Sequence, residues 1–200
     1  MTKKENQLLL SMIVAVDNNY LMGSDLGGLP WSGIERDKIH FRKYVEGKTL
    51  ITGRKTFEEM KGWFQSHHTP YVLTQKSDYQ ATDDAFVFNT IEDAISVAEQ
   101  KGVDEMVVCG GAEIYRLALK YSSKIIMTIL DSYFKAQGKP KYFPSIEELR
   151  TLGFKEYKRE KFMPSDQNQI SMSIIWLNRC LLYTSPSPRD ATLSRMPSSA

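Results

Sequence analysis

Cysteine is almost missing from this chain of 200 residues, which carries only Cys109 and Cys180. Two thiols make no disulfide framework. Cys109 lies in an apolar run and reads as a buried free thiol, as suits a reducing compartment. Histidine is scarce too, and the adjacent pair His67-His68 has no evident third ligand, so exposed loop histidines are expected there and no metal. No apolar stretch reaches the length of about 20 residues that spans a bilayer. The basic start, residues 1–7, is followed by a short apolar run that soon meets Asp17, which reads as a strand and not as a signal peptide. Neither charge sign is in excess: 26 basic against 24 acidic residues leave +2, no footprint for nucleic acid or an anionic membrane. Repeats and internal linkers are missing from the body. What is present, 42% hydrophobic and 25% charged residues, suits one globular domain with a sizeable core.

Composition changes near the end. Residues 180–200 contain Ser185-Pro186-Ser187-Pro188-Arg189-Asp190 and close on small and polar residues, with no helical or strand period. Such a segment buries too little apolar surface to fold. Two of its stretches, 180–190 and 194–200, back-translate to the two ends of a transposon-type sequencing adapter. We therefore read residues 1–179 as the domain and 180–200 as a disordered tail of translated adapter sequence; the alternative is a natural disordered tail. The tail holds two arginines and one aspartate, which leaves the body at +1.

Apolar runs predict strands at residues 8–16, 49–52, 71–74, 85–88, 106–109 and 124–133. Helical patterns fall at 37–45, 55–60, 91–101 and 112–120. Thr90 is placed to cap the third of these, with Asp93 three positions on. Residues 17–31, punctuated by Gly23, Gly27, Gly28 and Pro30, read as a long loop. Alternating patterns at 154–162 and 170–177 predict a closing antiparallel pair. Strands alternating with helices argue an α/β fold, a mostly parallel sheet with helices on both faces.

Two strand-to-helix turns carry glycine: Thr52-Gly53-Arg54-Lys55-Thr56 and Cys109-Gly110-Gly111-Ala112-Glu113. Glycine lets backbone approach a ligand, and the helix that follows offers free N–H groups to phosphate. The spacing is not G-x-G-x-x-G, so a nucleotide cradle and two ordinary turns both stand. Gly27-Gly28-Leu29-Pro30-Trp31 precedes Asp37, with Phe41 one turn later. Asp37 reads either as a first-turn or capping carboxylate favoured by the helix dipole or as a substrate anchor, and Glu35 competes with it.

Taken together in order and spacing, these stretches resemble the dihydrofolate reductase family from about Leu10 to Arg179. The matching residues are Val14-Ala15-Val16-Asp17, Gly23 through Leu29-Pro30-Trp31, Asp37 with Phe41, Gly53-Arg54-Lys55-Thr56-Phe57-Glu58, Gly110-Gly111-Ala112-Glu113-Ile114-Tyr115, Thr128 and Phe143-Pro144. The resemblance implies the family's three-layer fold and the reduction of dihydrofolate by NADPH. It implies that Asp37 binds the amino group and ring nitrogen of the pterin, that Thr128 supports it, and that Leu29 and Trp31 belong to a mobile loop closing over the nicotinamide. Ala15, Phe41 and Leu50 would line the pterin pocket or its approach. For the cofactor it implies Ala15, Gly23, Gly53, the phosphate-binding Arg54, Lys55 and Thr56, then Thr74, Gln75 and Lys76 near the adenosine. Cys109, Gly110, Gly111, Ala112, Glu113, Ile114 and Tyr115 complete that set, with Gly110-Gly111 matching a glycine pair often joined by a cis peptide. A monomer acting in the cytoplasm on a small molecule, without nucleic acid or membrane, is expected.

The chain departs from the family in three places. The arginine for the substrate's glutamate carboxylate is missing, and His68 or Thr69 stands there. One extra residue separates Trp31 from Asp37. Gln137-Gly138-Lys139-Pro140-Lys141 replaces a more acidic loop. The missing arginine keeps a second reading open, an NADPH-dependent reductase of another heterocycle such as the riboflavin-pathway pyrimidine. A non-catalytic nucleotide-binding module is the third, against which Asp37 and both glycine turns argue.

Overall fold

The computed structural model describes residues 8–64, 67–82, 84–165 and 169–179. The basic start and the segment 180–200 lie outside the described residues.

The first strand, β1 (Leu9–Asp17), is followed by β2 (Leu21–Ser24), α1 (Glu35–Val45), β3 (Thr49–Gly53), α2 (Arg54–Glu59), β4 (Thr69–Leu73) and β5 (Phe86–Phe88). Then come α3 (Ile91–Gln100), β6 (Glu105–Gly110), α4 (Ala112–Ala118), β7 (Lys124–Leu130), β8 (Pro140–Tyr142), α5 (Ile146–Thr151), β9 (Lys155–Phe162) and β10 (Met172–Asn178). Eight strands form one sheet in the order β5-β4-β3-β6-β1-β7-β10-β9. The first six run parallel. β10 and β9 close the sheet as the antiparallel pair that the alternation predicted.

Each face of the sheet buries its own core, because successive strand side chains point to opposite sides. On β1, Met12, Val14 and Val16 join Ala94 and Ala98 of α3, Ile114 and Ala118 of α4 and Leu149 of α5. Ile13 turns the other way, into a core with Val45 of α1 and Phe57 of α2. The sheet therefore carries helices on both faces, as expected. Parallel strands place all their C-terminal ends at one edge, where open α/β sheets take their ligands. Asp17, Gly53, Gly110 and Leu130 end there.

Four details correct the sequence reading. Residues 17–31 are not all loop: β2 pairs antiparallel with β8. β7 stops at Leu130, short of residue 133, because Ser132 N turns back onto Leu130 O at 2.8 Å and the Asp17 carboxylate takes the Phe134 amide at 3.0 Å. α1 begins at Glu35, not 37, after an N-cap residue, Ile34, with no side-chain bond. α5 was not expected, though Ser145 and Glu148 form a full capping box at its start. Thr90 caps α3 as expected, accepting from Asp93 N at 3.1 Å. Among the described residues no helix is long and apolar enough to cross a membrane.

Candidate active site

Asp37 is the third residue of α1, one turn before Phe41 on the face turned to the sheet. Its side chain is bonded to Thr128, a fully buried residue of β7. Thr128 pairs in register with Ala15 of β1, so strand, strand and helix bring Ala15, Thr128 and Asp37 to one place. Burial pushes the Asp37 carboxyl above the usual aspartate range, and the Thr128 bond works against that rise. Glu35 points elsewhere, to Lys38 at 3.5 Å and Arg42 at 3.7 Å. The rival carboxylate is thus a solvated surface group.

The two glycine turns lie side by side, since β3 and β6 are neighbours with Thr52 opposite Gly110. A Cβ on Gly53 would stand 3.0 Å from Ile114 Cγ1 and 3.8 Å from Gly111 N. A Cβ on Gly111 would meet Thr56 Oγ1 at 3.1 Å. Gly110 has φ +111°, and the Gly110-Gly111 peptide is cis. Among the described residues neither α2 nor α4 has a side-chain cap at its start, although Ile114 N bonds to Gly111 O at 2.9 Å. Among the described residues Thr52 Oγ1 is buried there without a hydrogen-bond partner. Glycines at both turns and this buried hydroxyl fit a dinucleotide's phosphates. Arg54, Lys55 and Thr56 would hold them.

Tyr115 links the two halves of the site. Its hydroxyl donates to Ile13 O at 2.6 Å across the sheet edge. Burial above all, then the nearby Cys109 and Asp37, push the phenol well up, so it stays neutral. The half-buried Cys109 thiol is likewise pushed up by desolvation, which favours its protonated form. Thr74 is buried, and its hydroxyl accepts from Lys76 N at 3.2 Å. Gln75 Nε2 donates to Asn89 O at 2.6 Å, and Lys76 is exposed, so all three line the end of β4. Glu113 is exposed and pairs with Arg116 at 3.1 Å. Gly23 sits in β2 against Lys141. Leu50 is completely buried in the core formed with α1 and α2.

The glycine-rich loop crosses this edge. Trp31 is buried against Phe134, ring centroids 5.3 Å apart, and among the described residues its indole N–H has no hydrogen-bond partner. Leu29, by contrast, is 58% exposed. Asp17 anchors the loop's root: its carboxylate accepts from the amides of Asn19 at 2.8 Å and Leu21 at 2.9 Å as well as Phe134. Asp25 binds Lys139 twice through backbone and carboxylate, N to O at 3.1 Å and Oδ1 from N at 2.8 Å. The segment 137–141 lacks acid, but the glycine-rich loop itself supplies the carboxylate, Asp25, that joins the two.

His68 is not a free surface histidine. It stacks on Trp63 at 4.6 Å, His67 lies 4.1 Å from it, and Trp63 meets Phe41 at 5.4 Å. Burial and His67 lower its pKa, so it is less charged than an ordinary histidine near neutrality. Sequence reasoning missed Trp63 and Asp17. For Trp63 no motif signals it; for Asp17 the signal was an acid closing an apolar strand.

The family profile described as dihydrofolate reductase matches residues 9–179. The chain belongs to the dihydrofolate reductase family. That decides against the pyrimidine reductase reading. A dihydrofolate reductase of Buchnera aphidicola subsp. Baizongia pistaciae is 31% identical over 140 residues, 70% of this chain and 80% of its own. The type 3 dihydrofolate reductase of Salmonella typhimurium is 25% identical over 172 residues, covering 86% of this chain and 99% of that protein. Among solved structures, Enterococcus faecalis dihydrofolate reductase complexed with NADP(H) and RAB-propyl superposes with a TM-score of 0.74 at 24% identity. It covers 86% of this chain and 96% of its own, and confirms the three-layer fold. His68, stacked on Trp63, stands just before β4, where the resemblance to the dihydrofolate reductase family leads one to expect arginine.

Proposed function

We propose that this chain reduces dihydrofolate to tetrahydrofolate with NADPH, and that Asp37 anchors the pterin. The observation that carries the assignment of Asp37 is its carboxyl: half-buried on the helix face turned to the sheet and bonded to the buried Thr128 of β7. Bound NADPH supplies a hydride to a pterin ring carbon, the neighbouring nitrogen takes a proton, and NADP+ is left. Asp37 orients the amidine-like edge of the pterin by charge-assisted hydrogen bonds. Thr128 fixes the carboxylate's rotamer by donating to it. Ala15 and Phe41 flank the ring, and the loop bearing Leu29 and Trp31 excludes water when closed. Arg54, Lys55 and Thr56 hold phosphates, Gly110 and Gly111 admit the cofactor close to the sheet, and Thr74, Gln75 and Lys76 face the adenosine end. His68 with Trp63 closes the far end of the groove, where the substrate's tail emerges.

We further propose a monomer in the cytoplasm that handles small molecules alone. The test is NADPH oxidation followed with and without dihydrofolate, with a trimethoprim-like antifolate as control. Oxidation that ignores dihydrofolate overturns the reading.

A further inference from the structure

We propose that Glu59 is the latch of the glycine-rich loop and sets how fast the loop opens for cofactor exchange. The proposal rests on the NADPH-dependent reading above.

Lys55 and Glu59 are four residues apart on α2 and so share one helical face. That face grips the loop at two points. Glu59 Oε2 accepts from Gly28 N at 3.1 Å, and Lys55 Nζ donates to Asp25 O at 3.4 Å. The fit is close enough that Gly27 has no room for a side chain: a Cβ there would run into the Glu59 carboxylate, its Cδ only 3.0 Å away. Gly27 and Gly28 both adopt positive φ, +84° and +70°, and so bend the loop onto the helix. On its other side the loop is tied by the Asp25–Lys139 pair and by β2 against β8. The loop thus has a hinge of backbone bonds on one side and a side-chain catch on the other. The catch is a single solvent-exposed hydrogen bond to a carboxylate, the kind of contact whose net worth is modest. It also stands on the helix whose first turn carries Arg54, Lys55 and Thr56, so one rigid element touches both the lid and the phosphate end of the site. Glu59 is a positioning residue and touches no reacting atom.

The experiment compares the full chain with Glu59→Ala and Glu59→Gln. Two quantities are read: amide hydrogen exchange at Gly28 in the free protein, and NADPH dissociation by stopped flow. Glutamine keeps an acceptor for Gly28 N; alanine does not. Loss of one solvent-exposed hydrogen bond, at the net value of an ordinary protein hydrogen bond, predicts roughly five- to tenfold faster exchange and release for Glu59→Ala. Glu59→Gln is expected to stay within about twofold of the parent, and both melting temperatures within about 2 °C. Parental release by Glu59→Ala, in a protein that still reduces dihydrofolate, overturns the latch alone. So does Glu59→Gln releasing as fast as Glu59→Ala, or faster release accompanied by a general loss of stability. A parent protein that does not bind NADPH overturns the functional reading and the latch with it.

Discussion

Asp37→Asn separates the site's chemistry from its stability. The amide is nearly isosteric and keeps an oxygen for the Thr128 bond, so the fold and the Ala15–Thr128 register are expected to survive. What is lost is the charge that orients the pterin. Hydrogen bonds to a charged group are worth about 1.5–3 kcal/mol each. Two of them, to the amino group and the ring nitrogen, amount to about 3–6 kcal/mol of transition-state binding, or a fall in kcat/KM of roughly 10²- to 10⁴-fold. NADPH affinity is expected to be unchanged. Stability moves the opposite way. Burial raises the Asp37 pKa in the folded state, so between the unfolded and folded values the folded protein binds more protons. Stability therefore falls as pH rises through that window, and the loss persists above it. Asparagine removes it, so the variant melts no lower than the parent at neutral pH. Steady-state kinetics and thermal melts on the same preparation check both halves. A variant that keeps more than a tenth of the parental kcat/KM refutes the anchor, and one that melts well below the parent refutes the burial argument.

Three further outcomes follow from other parts of the chain. Glu105 accepts from Ser11 at 2.7 Å and Tyr44 at 2.5 Å and pairs with Lys48 at 2.8 Å; burial pushes its pKa up, but these partners outweigh it and hold the carboxyl below the usual range. Its stabilisation is present above the ordinary glutamate pKa and lost as pH falls through the lowered one, so Glu105→Ala is expected to cost about 3 kcal/mol near neutrality and much less in acid, by urea melts across pH. Gly53→Ala places a methyl 3.0 Å from Ile114 Cγ1; overpacking of about 1–2 kcal/mol and weaker NADPH binding are expected, by melts and cofactor titration. Cutting the chain after Arg179 should leave the melting temperature unchanged, because Arg179 Nη2 still donates to Leu119 O and Ser122 O, both at 2.7 Å.

Much of the fold was legible because its strands are dense apolar runs. Residues 8–16, 106–109 and the two closing strands read directly as β1, β6, β9 and β10. β2 and β8 were not legible: each is three or four residues long, and they stabilise one another across more than a hundred residues of chain. α5 had a local signal, Ser145 with Glu148, that was simply not read. In the candidate site, Asp37 and the glycine turns were singled out by their order and spacing within the family resemblance; on the residues alone a capping carboxylate and two ordinary turns stood beside that reading. Glu59, Asp17 and Trp63 did not, since their roles exist only through contacts made by distant backbone and rings.

The most direct test of the central claim follows the transferred hydrogen. With NADPH carrying deuterium at the reactive nicotinamide position and unlabelled dihydrofolate, the account predicts tetrahydrofolate containing one deuterium, formed together with NADP+, and almost none with Asp37→Asn. Tetrahydrofolate without the label, or labelled product formed equally well by Asp37→Asn, would contradict it.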